Sequence, residues 1–271
     1  WGLGYFGQPH IITRFMALRS PSEAKAARRT GTIWVAICYL GGIFTALVAT
    51  VYFGQKSASV TDQSGYETVF LDLARIMFHP LIAGIVLTAV LAAIMSTMSS
   101  QLLVTSSALI EDIYRIFKKN PNNTTLLVLS RAMVIGIALI GMLLALNPSD
   151  TILGLVGFAW AGFGAAFGPV VVASLYWKRL TSQGAIAGMI VGAVTSFVWG
   201  SVDALNGIIY EIVPGVILAT LAMVVVSLAT RPKEGVEEEF DTAAAATDYA
   251  LAHPDEDFAA ALRNRGGSTA V

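Results

Sequence analysis

Two short stretches of this chain carry residue types that could do chemistry. The first is Ala92-Ala93-Ile94-Met95-Ser96-Thr97-Met98-Ser99-Ser100-Gln101, followed by Thr105, Ser106 and Ser107. Hydroxyl oxygens are uncharged hard ligands, suited to a cation that must both bind and leave. On a helix Ser96 and Thr97 point about 100° apart, and the carbonyl of Ala93 lies one turn earlier, so the three oxygens make one face of a coordination sphere. The remaining ligands must come from another helix, and none of the other apolar runs offers an obvious partner motif. The alternative is that these hydroxyls bond their own i−4 carbonyls and ease helix packing.

The second stretch is residues 1–9. Gly2, Gly4, Gly7 and Pro9 weaken any helix there. Proline lacks the amide and clashes one turn back, and each glycine costs about 1 kcal/mol against alanine. An unwound segment is expected, its carbonyls and amides open to a small polar ligand, with Trp1 and Tyr5 at i and i+4 offering two rings and two polar tips. The alternative is a kinked helix with an interfacial aromatic pair. Elsewhere His10, His79 and His253 are scattered, giving no support for a zinc site or a triad. Cys38 is the one cysteine and sits in an apolar run, where it reads as a small buried hydrophobe.

The elements that hold these stretches must be membrane helices. The 271 residues are 55% hydrophobic and 13% charged, about half the charge of a soluble domain. Thirteen charges fall in residues 230–271, which leaves 22 for the first 229. Net charge is −1 overall, +4 before residue 230 and −5 after it, so there is no basic face for nucleic acid. A hydrocarbon core about 30 Å thick needs roughly 20 apolar helical residues. Six such runs occur, near 32–53, 81–110, 126–146, 152–177, 185–202 and 208–229, after a partial segment at 1–18. Residues 76–110 hold no charge, more than a bilayer needs, so this helix must tilt, project beyond the lipid or begin after a loop, and projection is the expected outcome. The central parts of the spans lack carboxylates, which argues against an acidic proton relay.

Basic residues fix the orientation. With six spans, fifteen of the seventeen lysines and arginines fall on one side and only Lys56 and Arg75 on the other, which makes the C-terminus cytoplasmic. An outer amphipathic helix is expected near 66–78, with Val69, Phe70, Leu73, Ile76 and Met77 at helical spacing. It either lies over the mouth of a site or rests at the interface without gating. Gly184, Gly188 and Gly192, and Gly164 with Gly168, are expected to bring helices close together. Residues 230–271 read as an acidic, flexible cytoplasmic tail. Trp1 follows no charged leader region, so a fragment starting inside an element is expected.

The strings Trp1-Gly-Leu-Gly-Tyr5-Phe-Gly-Gln-Pro9-His10-Ile-Ile, Arg14-Phe-Met-Ala, Ala92-Ala-Ile-Met-Ser96-Thr97-Met-Ser-Ser-Gln and Ala159-Trp-Ala-Gly-Phe-Gly-Ala-Ala-Phe-Gly-Pro-Val171 closely resemble the solute:sodium symporter family, from Trp1 to about residue 230. The resemblance implies an all-α polytopic bundle of the leucine-transporter type. This chain would then be the second inverted repeat plus two additional C-terminal helices, with the first repeat missing. It also implies sodium-coupled symport of L-proline across the cytoplasmic (inner) membrane by alternating access, without enzymatic activity and with sodium as coupling ion in place of a cofactor. By the same resemblance Trp1, Tyr5 and Pro9 match solute-binding positions, while Ser96 and Thr97 with the Ala93 carbonyl match sodium ligands. The missing repeat would complete both sites. The competing readings are a sodium symporter of another organic solute and a non-transporting membrane sensor module. A channel is disfavoured, because no ring-forming selectivity loop is visible.

Overall fold

The structure is a computed structural model that describes residues 1–18, 20, 22–55, 63–118, 122–146 and 151–253. Arg19, Lys56, Lys119, Arg263, Arg265 and the acidic group at 255–257 lie outside the described residues. The described chain is helical throughout its regular elements. A 3-10 turn, Gly2–Gly7, leads to α1 (Pro9–Met16), α2 (Glu23–Gln55), α3 (Gln63–Met77) and α4 (Pro80–Ser107). A π-helical turn (Ala108–Tyr114) and α5 (Arg115–Phe117) extend α4. The rest comprises α6 (Asn123–Ala145), α7 (Ile152–Tyr176), α8 (Ser182–Ser201), the short α9 (Asp203–Asn206), α10 (Ile212–Ala229) and α11 (Val236–Ala252). Six of these helices are long and apolar enough to cross a membrane, which together with the composition makes this a multi-pass membrane protein.

The chain divides into two units. The first comprises Trp1–Val35 and Leu153–Val271, and most of its buried positions are small residues, with Ile212 and Met223 among them. The buried positions of α7 include Gly157, Ala161, Gly164, Ala165 and Gly168; those of α8 are Gly184, Gly188, Gly192 and Ser196; those of α10 include Gly215, Ala219, Met223 and Ser227. Each set recurs about every four residues, so each helix turns one narrow small-residue face inward. The approach is close. A Cβ added at Gly192 would lie 2.3 Å from the Ala165 carbonyl oxygen, and one at Gly188 would lie 3.0 Å from Met223 Cβ.

Hydroxyls tie these helices together where lipid offers no hydrogen bonds. Thr181 caps α8 by accepting from Gly184 N at 3.1 Å, while its own N–H donates to the fully buried Ser227 hydroxyl at 3.3 Å. Ser196 Oγ donates to the Ala161 carbonyl at 3.4 Å. At the other end of the unit Tyr210 OH donates to the Gly157 carbonyl at 2.5 Å. Burial, and then the neighbouring Glu211 carboxylate, push the Tyr210 phenol up to about 12.

Within the acidic tail, Val236–Ala252 forms α11. Gly235 precedes it at φ +90°, a left-handed conformation that glycine adopts without Cβ strain. Glu237, Glu238 and Glu239 occupy the first turn, where the helix dipole favours negative charge, and four alanines follow. Asp241 pairs with Lys178, whose ammonium also lies 5.8 Å from the centre of the Phe240 ring, and Ala246 and Ala250 are buried.

The second unit, Ala36–Ile152, positions the hydroxyl stretch. The uncharged run at 76–110 is not one projecting helix. It breaks after α3, where His79 Nδ1 accepts from Leu81 N at 3.3 Å and Pro80 opens α4 with the amide a first turn can spare. Beyond the break, α4 and its extension run 38 residues to Phe117, about 57 Å at the helical rise, so this end does outrun a hydrocarbon core. α3 buries Leu73 and Ala74. Together with Phe44 and Val48 of α2 and Val86 of α4, its Phe70, Leu73 and Met77 line an apolar cavity of about 380 Å³. Glu67 on α3 accepts from Ile152 N, at the end of this unit, at 2.8 Å.

Candidate functional site

The interruption near the N-terminus has a definite geometry. Residues 2–7 wind as a tight 3-10 turn, Gln8 is extended (φ −89°, ψ 109°), and Pro9 begins α1. Fixed φ and a missing amide suit proline to that first helical position. Gln8 accepts from the amides of Ile11 and Ile12 at 3.0 Å, closing the start of α1. Trp1 and Tyr5 are 51% and 43% exposed, so large parts of both rings remain open for contact.

Both rings rest on one residue of α7. Trp160 packs against Trp1 at 5.2 Å between ring centres and meets Tyr5 edge-on at 4.9 Å. Its indole N–H donates to the Trp1 carbonyl at 3.0 Å, and its carbonyl accepts from the buried Gln8 amide at 3.2 Å. Glycines on both partners allow this approach. A Cβ at Gly4 would stand 2.1 Å from Trp160 Nε1, one at Gly7 2.3 Å from the Phe163 carbonyl oxygen, and one at Gly164 2.6 Å from Gly4 Cα. The structure therefore groups Trp1 and Tyr5 around Trp160, with Pro9 two residues beyond Gly7 at the start of α1.

Sequence reasoning missed Gln8 and Trp160. Gln8 sits between Gly7 and Pro9, and a polar side chain at a predicted break was an available signal. Trp160 stood in a string that carries the family resemblance, but nothing in its spacing pointed to the N-terminal segment. Gly164 and Gly168, expected to let helices approach, also admit the 3-10 turn: a Cβ at Gly164 would lie 2.9 Å from Ile212 Cδ1 of α10 as well as against Gly4, and one at Gly168 would lie 3.3 Å from the Leu3 carbonyl oxygen.

The hydroxyl stretch lies in the other unit, on α4. Thr97 Oγ1 donates to the Ala93 carbonyl at 3.3 Å, so two of the three expected oxygens are neighbours on one exposed face. Ser96 is also exposed, and its carbonyl accepts from Ser100 Oγ at 2.9 Å. The back-bonding offered as an alternative to cation binding is thus present, and it is the same contact that gathers the oxygens. A hydroxyl that donates keeps its lone pairs, and its O–H can rotate away from the carbonyl to free that oxygen too. The described residues hold no cluster of three or more histidine, cysteine or acidic side chains that could bind a metal. An uncharged oxygen face of this kind suits a weakly held monovalent cation.

A family model for the sodium:solute symporter family matches residues 1–192. The chain is 47% identical over 243 residues to the high-affinity proline transporter PutP of Bacillus subtilis, covering 89% of this chain and 50% of that protein. It is 49% identical over 233 residues to the osmoregulated proline transporter OpuE of the same organism, covering 85% and 47%. It is 47% identical over 244 residues to the sodium/proline symporter of Escherichia coli, covering 89% and 48%. No solved structure matches the chain. The chain spans about half the length of these relatives. Matched over most of its own length by the family model and by proteins named as transporters, this chain belongs to the sodium:solute symporter family.

Proposed function

We propose that this chain is the second half of a sodium-coupled L-proline symporter of the cytoplasmic membrane, working by alternating access with its C-terminus inside. The observation that carries the reading is the interrupted segment at residues 2–9, with Trp1 and Tyr5 exposed above it, in a chain whose relatives are named as proline transporters. In this reading residues 1–18 are a broken membrane helix, residues 19–229 the remaining six spans with the outer helix near 66–78, and residues 230–271 a cytoplasmic tail.

Trp1, Tyr5 and Pro9 would receive the solute. The rings suit the apolar pyrrolidine, and backbone groups at the break would turn to the carboxylate and ammonium. Ala93 O, Ser96 Oγ and Thr97 Oγ1 would give sodium half of its shell. The rest of both sites, and the first inverted repeat, belong to the part of the parent protein that lies outside this chain. Sodium would then shift the population toward an outward-facing state that accepts proline.

The energetics suffice. One charge crossing about 100 mV supplies roughly 2.3 kcal/mol. A tenfold sodium gradient supplies about 1.4 kcal/mol more. Together they can concentrate a neutral zwitterion on the order of several hundredfold.

The test is uptake of labelled L-proline by vesicles holding the full-length parent with Thr97→Ala. The sodium concentration for half-maximal uptake should rise well beyond any loss of protein abundance. Unchanged sodium dependence refutes the cation assignment. Competition by other amino acids and carboxylates, if stronger than by unlabelled proline, refutes the choice of solute.

A further inference from the structure

Trp160 holds the interrupted segment at both of its ends. Its indole N–H takes the Trp1 carbonyl at 3.0 Å, and its carbonyl takes the Gln8 side-chain amide at 3.2 Å. Between those anchors its ring supports Trp1 and Tyr5. A six-residue 3-10 turn closes few bonds of its own and cannot fix its side chains by itself. Its orientation must come from what it lies on. Gly4, Gly7 and Gly164 press it against α7 with no room for a Cβ, and Gln8 is 4% exposed, so its amide has little access to any other partner.

We propose that Trp160 is the positioning residue of the solute site. It sets Trp1 and Tyr5 in the orientation that receives solute, without touching solute itself, and it makes residues 1–8 move with α7 as one body. The proposal rests on the solute-site reading given above. Each anchor is one neutral hydrogen bond, and losing one donor should weaken solute binding roughly two- to twelvefold.

Two variants of the full-length parent test it. Trp160→Phe keeps a ring and removes the indole donor; Gln8→Ala removes the other anchor. Both should raise the KM for labelled L-proline by that factor while the maximal rate per transporter molecule is retained, a split that mere loss of folding does not produce. A second readout does not depend on the solute. Spin labels on Phe6→Cys and Tyr176→Cys, with native cysteines replaced, should give a narrow distance distribution that broadens in Trp160→Phe. Tyr5→Ala serves as reference. If it raises KM while Trp160→Phe leaves both KM and the distance distribution unchanged, the positioning role is overturned and the solute site stands. If Tyr5→Ala leaves KM unchanged, the solute-site reading falls, and an unbroadened distribution then overturns the mechanical coupling as well.

Discussion

Replacing Gly7 by alanine asks whether the interrupted segment works by lying directly on α7. The new Cβ would stand 2.3 Å from the Phe163 carbonyl oxygen and 2.7 Å from Gly164 Cα, both backbone atoms of a packed helix that cannot swing aside. Ordinary contact begins near 3.4 Å, so segment and helix must part by about 1 Å. That movement stretches the Trp160–Trp1 and Gln8–Trp160 hydrogen bonds, now 3.0 and 3.2 Å, past any useful length. Overpacking of this kind costs about 1–3 kcal/mol. If the cost falls on the solute-competent state, proline affinity in the full-length parent should drop by roughly five- to 150-fold. The assay is the KM for sodium-driven proline uptake in vesicles, normalised to transporter abundance. Gly42→Ala is the control: its Cβ meets nothing within 4 Å and sits mid-helix in α2, where alanine is the better residue by about 1 kcal/mol, so it should leave uptake intact. A Gly7→Ala protein with parental KM and abundance would refute the argument that close backbone approach builds this site.

Further outcomes follow from the packing. Ser227→Ala removes the acceptor of the buried Thr181 N–H and should destabilise the protein by about 1–3 kcal/mol, read as a lowered melting temperature in detergent. A melting temperature equal to the parent's would show that this hydroxyl tie contributes nothing. The Tyr210 phenol, held up to about 12 against an ordinary value of about 10, binds its proton more tightly in the folded state. Its contribution to stability is therefore complete below pH 10 and is lost as pH rises through 12. Tyr210→Phe should flatten that part of the alkaline unfolding curve, and an unaltered curve would assign the loss to other groups.

The fold was legible where composition alone decides structure. Six apolar runs of sufficient length became six long helices, because nothing but a helix satisfies its own backbone in hydrocarbon. The break at Gln8 was legible because glycine and proline act locally on the backbone. The glycine stripes announced close approach but not the partner: Gly184 faces Ser227, Gly192 faces Ala165, and Gly164 faces Gly4. Partner choice is a property of three-dimensional packing between segments far apart in sequence, and no period of 3.6 residues encodes it. Trp160 was hidden for the same reason, since its hydrogen bond to the Trp1 carbonyl spans 159 residues. Within the acidic tail, α11 was not anticipated, although glutamates at a helix start followed by alanines favour it. The break at Phe78 and His79 was obscured because an uncharged run says nothing about where its backbone turns.

In the proposed function, sodium at Thr97 and proline at Tyr5 belong to one coupled equilibrium. Binding of labelled L-proline to the purified full-length parent, measured across a sodium titration, tests this most directly. Sodium should raise proline affinity, proline should raise sodium affinity by the same factor, and Thr97→Ala should abolish both effects. Proline binding of equal strength with and without sodium would contradict it.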